Sequence, residues 1–90
     1  MNENEEIILR NWGYAGVCVI KACKDVNVNM TFKEFLGHCT TQGGNWGGMI
    51  LSGIRKIAPE VWIAIPEKMG KRAFECICSV IQLIGIDTSC

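Results

Sequence analysis

His38, the chain's single histidine, stands beside Cys39, and a cysteine near a histidine is the raw material of thiolate catalysis. That chemistry needs the base to reach the sulfur and a third group to orient the base. The flanking residues decide against it. Phe32, Phe35, Leu36 and Cys39 recur at helical spacing, and successive helical residues point about 100° apart. Cys39 therefore turns toward a core, while His38 shares the outer face with Glu34 one turn earlier as an ordinary surface pair.

The six cysteines raise the question of metal. Structural zinc sites favour close pairs such as CxxC, and none occurs. Cys76 and Cys78, two apart on a helix, point to nearly opposite sides. Most of the thiols, among Cys18, Cys23, Cys39, Cys76, Cys78 and Cys90, fall at apolar positions of helical patterns, where a thiol packs as a small hydrophobe. Disulfide frameworks serve small secreted domains with poor cores, and this chain is rich in core material. Reduced thiols, no metal and no cofactor are the expectation.

The glycine-rich run Gly43-Gly44-Asn45-Trp46-Gly47-Gly48 could in principle cradle phosphate with backbone amides. A phosphate-binding loop opens its helix with Lys and Ser or Thr, and Met49-Ile50 occupies that region. The run reads instead as punctuation, with Gly43 closing one helix and Asn45 capping the next. The carboxylates Glu34, Glu60, Glu67, Glu75 and Asp87 sit at solvated or first-turn positions. Nothing pairs them for acid–base work, and no catalysis is expected.

Several helices must position these groups. Over Lys71–Ile84, Arg72, Glu75, Ser79 and Gln82 form one narrow polar stripe on an otherwise apolar cylinder. Such a helix belongs at the centre of a bundle, and Gly85 supplies its stop. Trp46, Met49, Ile50, Gly53, Ile54 and Ile57 define one buried face of a second helix, with Gly53 admitting a close neighbour. Pro59 begins a short element that Pro66 ends. Thr31 with Glu34 forms a capping box for a helix over Thr31–Thr41. In the first third, Ile8, Trp12, Ala15, Val19, Ala22 and Val26 predict a helix from about Glu5 to Asp25, broken near Gly13. Residues 25–29 form a turn.

The fold class is therefore all-α: one small domain of four to five helices around a central C-terminal helix. Ninety residues leave no room for a second core. Residues 1–6, with Glu3, Glu5 and Glu6, read as a flexible acidic lead-in, and residues 7–90 as the domain. Positive and negative charges cancel over the whole chain, which weakens the case for a nucleic-acid binder. The acidic start lacks the order of a secretory leader, and no apolar run reaches the roughly 18 residues of a membrane span. A cytoplasmic protein is expected.

With 49% apolar residues in so short a chain, some apolar surface should face a partner or a second copy. Trp12, Tyr14 and Trp62 are candidate aromatic anchors, and Leu51 falls off the buried face of its helix near Gly47 and Gly48. These six residues define the expected interface of a protein-interaction or regulatory module, an inhibitor by occlusion being one form. The alternative is a helix-turn-helix pairing of Thr31–Thr41 with Trp46–Ile57, which would set Ser52, Arg55, Lys56, Lys68, Lys71 and Arg72 against nucleic acid. Against it, Gly47, Gly48, Leu51 and Ser52 at the start of the reading helix offer little to base edges.

Overall fold

Residues 2–39, 46–65 and 73–87 are described by a computed structural model of the chain, and they hold six helices. In chain order these are α1 (Glu3–Trp12), α2 (Tyr14–Val26), α3 (Phe32–Cys39), α4 (Trp46–Ile57), α5 (Pro59–Ala64) and α6 (Ala73–Ile84). Among the described residues no strand forms; Thr31 and Asp87 make an isolated parallel bridge. The protein is a small all-α bundle.

The first third splits at Gly13, whose φ of +57° ends α1 and starts α2. A side chain is strained in that region of backbone space, so glycine suits the corner. The acidic start departs from the expected flexible lead-in: Glu3, Glu5 and Glu6 form the first turn of α1. The reason is local and tertiary at once. Asn2 Oδ1 accepts the Glu5 backbone N–H at 2.9 Å, and the carboxylates favour the positive end of the helix dipole. Glu5 also pairs with Lys24 of α2 at 3.0 Å, tying the hairpin together.

α6 occupies the centre, packing against α1, α2 and α4. Cys76, Ile77, Val80, Ile81 and Ile84 are all buried, as an apolar cylinder among several neighbours requires. Its end is a Schellman motif. Gly85, at φ +111°, donates its N–H to Gln82 O, Ile86 donates to Ile81 O, and both isoleucines are buried. A Cβ on Gly85 would also collide with the Val28 carbonyl oxygen.

α3 starts on Thr31, whose hydroxyl accepts the Glu34 N–H at 3.2 Å. It packs against α4 as the short link between them demands. Gly53 makes that approach possible, because a Cβ there would stand 2.5 Å from Cys39 Sγ and 3.0 Å from the Phe35 ring. Pro59 occupies the first turn of α5, and Ile65, the residue before Pro66, is already extended.

Candidate functional site

The six residues expected to form an interface are spread over four helices. Trp12, the last residue of α1, is half-buried against the core, as are Leu51 of α4 and Trp62 of α5. Gly47 and Gly48 lie in the first turn of α4. Tyr14 is different: it opens α2 and is 94% exposed.

Around Tyr14 the structure collects residues that sequence reasoning passed over. Val17 is 54% exposed and Cys18 is exposed, one turn along the same side of α2. The opposite side carries Val19, Ile20 and Cys23 into the core. The signal was present in the spacing. Once Ala15, Val19, Ala22 and Val26 are assigned inward, positions 14, 17 and 18 are left outward. α2 also packs against α5, where Ile63 is 82% exposed beside the buried Val61. The signal was again the spacing, since Val61, Trp62 and Ile65 form the apolar side of this short element and leave Ile63 off it. Tyr14, Val17 and Ile63 are the large apolar residues that stand exposed among the described residues.

The basic residues are arranged less favourably for a nucleic acid. Arg55 and Lys56 occupy the last turn of α4, where cations complement the helix dipole, and Ser52 is half-buried. Arg55 Cζ lies 5.7 Å from the centre of the Trp62 ring, a cation–π contact within the protein itself. Lys68, Lys71 and Arg72 lie outside the described residues.

Cys39 and His38 diverge as their helical positions dictate, Cys39 fully buried and His38 exposed. Burial pushes the Cys39 thiol up, against smaller opposing effects of Gly53 and Lys56. A thiol so placed holds its proton at neutral pH, the reverse of an activated nucleophile. Cys23, buried beneath α6, is pushed up by the same cause to about 12. Among the described residues no three of His, Cys, Asp and Glu come together to hold a metal ion. No described helix is long and apolar enough to cross a membrane.

The fold is thus an all-α bundle that leaves Tyr14 and Val17 of α2 and Ile63 of α5 exposed. No protein family matches the chain, and no curated protein or solved structure matches it.

Proposed function

We propose that this protein is a small interaction module that acts by docking the exposed face of α2 and α5 onto another protein, regulating it by occlusion. The observation that carries the reading is Tyr14, 94% exposed and followed one turn later by the exposed Val17 and Cys18. A single exposed apolar residue is ordinary. An aromatic with two apolar neighbours on one helical turn is a contiguous anchor. Tyrosine suits that role, since it supplies large contact area with a hydroxyl for the rim and little rotamer entropy to lose. The reading assigns no catalysis and no cofactor, and its setting is the cytoplasm, where thiols stay reduced.

The test is affinity capture by the tagged protein, with and without nuclease, alongside Tyr14→Asp and Ile63→Asp variants. Both side chains are nearly fully exposed, so the fold should tolerate the charge. A stoichiometric protein partner that resists nuclease and is lost from both variants supports the reading. Capture that is unchanged in the variants, or that disappears with nuclease, refutes it. A second copy of the chain is a partner of the same kind, and light scattering across concentration detects it.

A further inference from the structure

We propose that the groove between α1 and α6 binds the arginine side chain of a basic segment in a partner protein. This rests on the reading that the protein works by binding another protein, and it uses a different surface.

The groove follows from the polar stripe of α6. Glu75, Cys78, Ser79 and Gln82, at helical positions i, i+3, i+4 and i+7, line a cleft of about 400 Å³. Glu3, Asn4 and Ile7 of α1 form the other wall. A second cleft of about 360 Å³ shares Asn4 and Gln82 and reaches Asp87, so the two clefts adjoin along the same seam. Three carboxylates line it, those of Glu3, Glu75 and Asp87, and among the described residues no basic side chain does. The exposed Arg10, one turn beyond Ile7, lines neither part.

Acidic character alone would be a solvated face. Ser79 is the second, independent observation. It is 3% exposed and the one buried polar residue among those described, in a helix otherwise apolar on its inner sides. Among the described residues its hydroxyl has no side-chain hydrogen bond, and no side-chain oxygen or nitrogen is both sealed and unpartnered. The hydroxyl therefore faces the groove. A hydroxyl that reaches solvent only there is bonded by groove water, which a ligand donor entering the groove can replace.

The lining selects the ligand. A guanidinium offers five N–H donors in a plane and no acceptor, matching carboxylates at the mouth and the oxygens of Ser79, Asn4 and Gln82 within. Ile7 and Cys78 provide apolar wall for the methylene stem. A compact ammonium would hold its water and use fewer of these acceptors. Phosphate would be repelled, and the carboxylates are not placed to share a metal ion.

The test titrates the full chain with an acetylated, amidated Gly-Arg-Gly-Arg-Gly peptide, followed by amide chemical shifts and calorimetry. Two comparison ligands are the same peptide with neutral citrulline for arginine, and free agmatine. The expected result is movement of the Ser79 and Gln82 amides by the arginine peptide, with affinity at least tenfold weaker for citrulline. Glu3→Gln combined with Glu75→Gln, both exposed positions, should weaken binding tenfold or more with the fold intact by circular dichroism. Ser79→Ala should weaken it severalfold. Equal binding of the citrulline peptide, or no shift in α1 or α6 at millimolar peptide, overturns the site. Agmatine binding as tightly as the peptide overturns the assignment to a protein segment. Tyr14→Asp should leave peptide affinity unchanged, so this site and the α2–α5 face fail or succeed separately.

Discussion

The guanidinium of Arg55 lies over the ring of Trp62, 5.7 Å from its centre, bridging the last turn of α4 and the short α5. The chain bends between them at Ala58, which is fully buried and donates its N–H to Ile54 O at 2.8 Å. Arg55 thus closes the outside of a corner whose inside is core. A cation engaged in this way holds the fold together and is less available for a phosphate.

Removing Trp62 should therefore cost stability. Trp62→Ala is expected to destabilise by about 2 kcal/mol, reflecting a half-buried indole, and Arg55→Ala by about 0.5–1 kcal/mol. In a urea double-mutant cycle the two should couple, with the double variant losing less than the sum. Strict additivity would mean the contact contributes nothing.

Gly53→Ala sets two effects against each other. Alanine favours a helix interior by about 1 kcal/mol, whereas its Cβ would stand 2.5 Å from Cys39 Sγ and 3.0 Å from the Phe35 ring. Overpacking of a core costs about 1–3 kcal/mol, so the net expectation is destabilisation. Thermal unfolding of Gly53→Ala beside Gly53→Ala/Cys39→Ala checks the cause, because removing the sulfur should recover part of the loss.

Stability should fall in alkali. The Cys23 thiol ionises near 9.0 when unfolded and at about 12 when folded, so between those values the unfolded chain releases the proton and the native one keeps it. Its contribution is complete below pH 9.0 and is lost as pH rises through about 12, on the order of 4 kcal/mol in all. Cys39 and Cys76, raised mainly by burial, act in the same direction. Urea midpoints at pH 8, 10 and 11 should decline more steeply for the wild type than for Cys23→Ala. In a Cys90→Ser background, native protein should show one fast-reacting thiol, Cys18, with the four buried ones protected.

Much of this architecture is legible in the residues, where the period is long and the caps are local. The α4 face with Ile50, Gly53 and Ile54, the break at Gly13, the Thr31 cap and the Gly85 stop all follow from short-range rules. What escapes depends on contacts distant in sequence. Glu3 to Glu6 read as solvated because the Glu5–Lys24 pair, nineteen positions apart, is invisible to a local pattern. Ser79 reads as part of an outer stripe until α1 covers it. For the site, Tyr14 was legible as an aromatic of unassigned direction, while Trp12, Leu51 and Trp62 settle partly into the core. Ile63 falls off the apolar side that Val61, Trp62 and Ile65 give α5, and it is exposed.

The central claim is that the Tyr14 face meets a protein, and a photo-crosslinker at that position tests it most directly. Benzoylphenylalanine would replace Tyr14 in one sample and the exposed Lys33 of α3 in another, in cells expressing the protein. The account predicts one discrete protein adduct from position 14, absent from position 33 and lost on Ile63→Asp. No adduct from position 14, or the same adducts from both positions, would contradict it.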